Sequence, residues 1–118
     1  MLRFQVESLQ EIGTVRATIR EEPFARAVAW ADVAVLNTII SELIGAAFDS
    51  RVEPPMVVTV ESFARLHSIR VRVASDVDLV DDPFQLRGRV LQGLTLAYGQ
   101  RRNGDGTVDL WAEVARSS

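Results

Sequence analysis

"DVAVLNTIISELIGAAFDS", residues 32–50, decides how the rest of the chain is read. Leu36, Ile39, Ile40, Leu43 and Ala47 recur at the three- and four-residue spacing of one helix face. The stretch therefore predicts an amphipathic helix from Asp32, as N-cap, to Phe48. Glu42 places a carboxylate at the border of the apolar stripe, and a turn later the chain offers only Gly45, Ala46 and Ala47. An acid beside the smallest available side chains is the feature to be explained.

Outward from this helix the chain alternates. "LRFQVE" (2–7) has the period of a half-buried strand, and "SLQE" (8–11) follows as a capping box that starts a helix running to about Arg20. Trp30 falls in the linker between the first two helices, as a core plug. After Pro54 and Pro55, "MVVTVES" (56–62) and "SIRVRVAS" (68–75) read as strands, with "FARLH" (63–67) as the turn between them. His67, the single histidine, is thereby expected at the surface. "DDPFQLRGRVLQGLTLAYGQ" (81–100) predicts a third helix with Asp82 as N-cap, Pro83 at its first position and Gly99 as C-terminal cap. Gly88 and Gly93 imply a break or a tight contact within it. "NGDG" (103–106) is turn chemistry before the last strand, "TVDLWAEV" (107–114).

The order β-α-α-β-β-α-β, with strands that all alternate, predicts an α+β fold in one domain, residues 1–118. It is a two-layer α/β sandwich with a mixed, mostly antiparallel sheet of about four strands and three helices on one face. A ferredoxin-like arrangement is the alternative. The inward sets are Leu2/Phe4/Val6, Met56/Val58/Val60, Ile69/Val71/Val73 and Val108/Leu110/Ala112/Val114. Trp111 then falls on the solvated face, where Arg70 and Arg72 also point. Trp and Arg together are the composition of binding hot spots, so these three form a candidate interface.

Composition narrows the function classes. There is no cysteine, which excludes thiol catalysis and zinc–cysteine sites and makes a reducing cytoplasm the expected compartment. All 13 basic residues are arginine, so no phosphate-loop or Schiff-base lysine exists. The net charge of −3 argues against a nucleic-acid partner, and no apolar run reaches the length of a membrane span. No metal site is expected from a lone histidine.

"TIISELIGAAFDS" resembles the helix of histidine-kinase-type ATPase domains (the GHKL or Bergerat fold), specifically the small anti-sigma-factor serine kinases and their partner-switching relatives. "SLQEIGTVRATIREEPFARAVAWADVAVLNTIISEL" is similar to their N-terminal helix pair. "SIRVRVASDVD" resembles the strand leading to their adenine-binding aspartate, and "LRGRVLQGLTLAYGQRRNGDGTVDLWAEV" their last helix, turn and strand. The resemblance implies that Glu42 stands at the general base and Asp76 at the adenine acceptor. By the same resemblance the glycine-rich motif that closes the lid on nucleotide would lie between that aspartate and the last helix, where the chain offers only Gly88, with Gly93 a turn beyond.

The departures are as informative. The family's Mg²⁺-binding asparagine, four residues after the glutamate, is Ala46, which has no oxygen for a hard cation. The family's Asp-x-Gly-x-Gly reads "DVDLV", with Asp78 and Val80 in place of the glycines, and Asp78 would repel a triphosphate. The resemblance thus implies a partner-switching regulator without nucleotide cofactor or catalysis, which binds a sigma factor or a STAS-domain anti-anti-sigma protein, or pairs with itself. The alternative is an active serine kinase that binds ATP and Mg²⁺ at an atypical site through Glu42 and Asp76.

Overall fold

The computed structural model describes residues 2–8, 11, 13, 17, 30–49, 56–73, 84 and 87–116. Its elements are β1 (Leu2–Val6), α1 (Trp30–Asp49), β2 (Met56–Ser62), β3 (Leu66–Val73), α2 (Gly88–Leu94), β4 (Ala97–Arg102) and β5 (Val108–Ala115). The fold is α+β. Among the described residues it has five strands and two helices rather than four and three, and all strand pairings are antiparallel, in the order β1-β2-β3-β5-β4. Of the expected first helix only residues 8, 11, 13 and 17 are described, and Asp82 and Pro83, as the start of the third, lie outside the described residues. Glu11 does reach back with its carboxylate to the backbone N–H groups of Glu7 and Ser8, which is the acidic half of a capping box.

The extra strand comes from the segment expected to be the second half of the last helix. Helix α2 stops at Thr95, whose backbone is extended (φ −118°, ψ 158°) and whose hydroxyl donates to the Leu91 carbonyl at 2.6 Å. The chain then turns into β4, and Asn103 to Thr107 close a hairpin onto β5. Asn103 N–H donates to Thr107 O at 2.8 Å, and Gly106 takes φ 87°, which a residue with a side chain adopts only with strain. Gly99 is therefore a strand residue facing Trp111, not a helix cap.

The core lies between α1 and the sheet. Leu36, Ile39, Ile40, Leu43 and Ile44 are fully buried, each worth roughly 1.5–3 kcal/mol of transfer free energy. Opposite them stand Val6, Met56, Val58, Val60, Ile69, Val71, Val108, Leu110, Ala112 and Val114. The alternation predicted from sequence holds in β2, β3 and β5. Among the described residues no helix is long and apolar enough to cross a membrane.

His67 is a correction. It lies within β3, opposite Val114 of β5, and is completely buried, because it extends the inward series Ile69, Val71, Val73 by one step. Asp32 is another. Helix α1 begins at Trp30, so Trp30 opens the helix instead of filling the linker, and Asp32 sits in the first turn. There it comes within 3.6 Å of His67 Nε2, while Nδ1 shares a 2.9 Å hydrogen bond with the Ser62 hydroxyl.

Candidate functional site

Two places carry chemistry, one on each side of the sheet. On the helix side, Glu42 sits on α1 with its side chain about four-fifths buried. It is held by Arg87, which immediately precedes α2: Arg87 Nη1 donates to Glu42 Oε2 at 3.2 Å. Residue i+3 from Glu42 is Gly45, on the same helix face. The Arg87 guanidinium lies directly over it, so that a Cβ at position 45 would collide with Cζ. Gly45 is the seat of the arginine.

The next two small residues have a different reason. Ala46 and Ala47 are both fully buried within the core cluster. An asparagine at 46 would place its amide among apolar side chains, and alanine offers no oxygen to a cation. The residues at this helix therefore do not fit Mg²⁺, and the glutamate that could act as base is engaged by a guanidinium. Among the described residues no group of three or more histidine and acidic side chains is placed to hold a metal.

Of the other residues implied by the nucleotide resemblance, Asp76 lies outside the described residues. Gly88 opens α2, where a Cβ would stand 3.1 Å from the Tyr98 hydroxyl, so the tight contact expected there is to a core aromatic. Tyr98 in turn meets Phe84 edge to face, ring centroids 5.1 Å apart. Gly93 has open space where its side chain would be and makes no tight contact. Near it in sequence, Val90 and Leu94, one turn apart on α2, and Leu96, just before β4, are exposed.

The second place is the outer face. The pairing register lays its residues in rows across the sheet. One row reads Arg3, Thr59, Arg70, Trp111, Gly99; the next reads Gln5, Val57, Arg72, Asp109, Arg101; the third reads Glu61, Ser68, Glu113, Ala97. Trp111 thus faces outward, directly opposite Arg70, as its place in the alternation requires. Its indole rests on Gly99, whose missing Cβ would lie 3.3–3.5 Å from Cζ2, Cε2 and Nε1. Arg72 is spoken for: its Nε donates to Asp109 Oδ1 at 3.0 Å, and that carboxylate holds the guanidinium above its usual range. A shallow cavity of about 400 Å³ opens over Arg70, Trp111 and Arg101.

Sequence reasoning missed Arg87 and His67. Nothing in spacing links residue 87 to residue 42, whereas the period-two series from His67 to Val73 was readable. Burial lowers the His67 pKa, an effect only partly offset by the Asp32 carboxylate, so the ring is neutral at pH 7. No model of a known protein family matches the chain, and no curated protein matches it.

Proposed function

We propose that this chain is a regulatory protein of the anti-sigma-factor kinase-like type that has lost nucleotide chemistry and acts by binding another protein. One observation carries the reading: Arg87, folded over Gly45 onto Glu42, occupies both the carboxylate and the space beside it. A general base must be free to accept a proton from its nucleophile, and a carboxylate already paired with a guanidinium is a poor one. The buried Ala46 supports the same conclusion for the cation.

Val90 and Leu94, exposed one turn apart on α2 just beyond Arg87, support a role in protein contact, since apolar side chains grouped on the surface of a small domain mark interaction sites. The resemblance of the chain points to a sigma factor or a STAS-domain protein as partner, and to the cytoplasm as the compartment. Isothermal titration with Mg-ATP and Mg-ADP tests the loss of chemistry, with Glu42→Ala and Asp76→Asn in parallel. No Mg²⁺-dependent heat at millimolar nucleotide is expected. Saturable binding that requires Mg²⁺ and disappears in Asp76→Asn would overturn the reading and make serine phosphotransfer the next question.

A further inference from the structure

We propose that the outer face of the sheet holds a binding site for a small planar aromatic anion, stacked on Trp111 and gripped by Arg70 and Arg101. The site lies on the opposite side of the sheet from Glu42 and does not depend on how that helix is read.

The cavity of about 400 Å³ is in the size range of small-molecule sites. Its floor is preformed. Trp111 is half-buried, propped on Gly99 on the β4 side, and lines the cavity. A planar ring laid on it gains stacking without first ordering the indole. The charges around the floor are unequal in their freedom. Arg72 and Asp109 neutralise each other across 3.0 Å. Among the described residues Arg70 and Arg101 have no carboxylate within 4.0 Å, and both border the cavity. An anionic group on the ligand supplies the partner they lack, through charge-assisted hydrogen bonds.

The other end of the cavity has the opposite polarity. Ser68 and Glu113 face each other in register and also line it. They accept hydrogen bonds, so the ring should carry an N–H or amino group at the end away from its anion. Two kinds of molecule share that chemistry, an amino-substituted aromatic carboxylate and a purine nucleoside monophosphate.

The test is a titration of the ¹⁵N-labelled full chain followed by ¹H–¹⁵N correlation spectra, in EDTA so that no metal takes part. The probes are 4-aminobenzoate, AMP and, as the anion-free control, adenosine. The expected result is saturable movement of the Trp111 indole N–H, identified by its absence in Trp111→Phe, together with the amides of Arg70, Arg101 and Glu113. The affinity should drop about tenfold in Arg70→Gln and in Arg101→Gln, and not in Arg65→Gln, an exposed arginine in the β2–β3 turn. Preference for 4-aminobenzoate or for AMP assigns the source. Adenosine binding as tightly as AMP, shifts that survive both arginine substitutions, or no saturable shift with either anion at millimolar concentration would each overturn the proposal.

Discussion

Glycine and arginine meet on both sides of this sheet, with opposite results. On the helix side Gly45 removes a Cβ so that Arg87 can lie across α1 and reach Glu42. On the outer side Gly99 removes a Cβ so that Trp111 can lie across β4, while Arg70 and Arg101 stand beside it with no carboxylate within 4.0 Å among the described residues. The first arrangement fills the gap with a guanidinium, and the second leaves a shallow cavity beside the indole. The same absence of a side chain thus has no functional meaning by itself; what fills the gap decides whether the surface there is packed or left open.

The largest effect should come from putting a polar side chain at the buried interface between α1 and the sheet. Ala46→Asn adds an amide at a fully buried position, combining overpacking with an unsatisfied polar group, and should cost roughly 2–5 kcal/mol in urea unfolding. The matching change on the outer face, Ala97→Asn opposite Glu113, should cost under about 1 kcal/mol. Equal costs would mean that the interface of α1 with the sheet has room for a side-chain amide, and the contrast between the two faces would fail.

Acid should also distinguish them. The titrating group between pH 5 and 8 is His67, on the helix side, faced by Ser62, by Asp32 and, through its charge, by Arg116. Burial keeps its folded-state pKa below the unfolded value of about 6.5, so the unfolded chain binds the extra proton first. The stabilisation from neutral His67 is fully present above the unfolded pKa and is lost as pH falls through the folded one. Melting temperature should therefore drop on acidification below about pH 6.5, and His67→Gln should flatten that part of the profile. A melting profile unchanged by the substitution would place the acid sensitivity elsewhere.

How far these features were legible follows from where their determinants lie. Period-two and period-3.6 burial is local, so the inward faces of β2, β3, β5 and α1 were read from residue order alone. The strand β4 was not, although "LAYGQRRNGDGTVDLW" has the turn of a hairpin, because Leu91, Leu94 and Tyr98 also satisfy a helix spacing. Only pairing with β5 decides between them. Trp111 and Arg70 were placed on one face by alternation, but Gly99 under the indole follows from β4 and could not be seen without it. Glu42 stands out in the sequence, yet its state depends on Arg87, 45 residues away in sequence. The pairing is a tertiary fact with no sequence period.

A smaller effect probes that pairing. Glu42 and Arg87 are both partly exposed, so a double-mutant cycle with Glu42→Gln and Arg87→Gln should give a coupling of about 0.5–1 kcal/mol. Gly45→Ala sharpens the result, because it expels the guanidinium while improving helix propensity by about 1 kcal/mol. In the wild type the two changes should nearly cancel. In an Arg87→Ala background nothing is expelled, and the same substitution should stabilise by about the full propensity gain. If Gly45→Ala behaves alike in both backgrounds, Arg87 does not rest on that glycine in solution.

The smallest effect on stability is expected at Gly99, and it is the one that most directly separates a floor from a plug. A Cβ there would stand 3.3 Å from Trp111 Cζ2, tight enough to lift the indole by a few tenths of an ångström without threatening the core. Because alanine also suits a strand better than glycine, Gly99→Ala should change unfolding free energy by no more than about 0.5 kcal/mol. The indole N–H resonance of Trp111 should nevertheless move, and stacking of the aromatic anion should weaken, since the ring would no longer lie at the level set by β4. The corresponding substitution at Gly45 should leave that resonance and that binding untouched, because the guanidinium it displaces is on the other side of the sheet. A Trp111 signal that responds to Gly45→Ala as strongly as to Gly99→Ala would show that the two faces are coupled through the sheet, and that neither glycine can be interpreted alone.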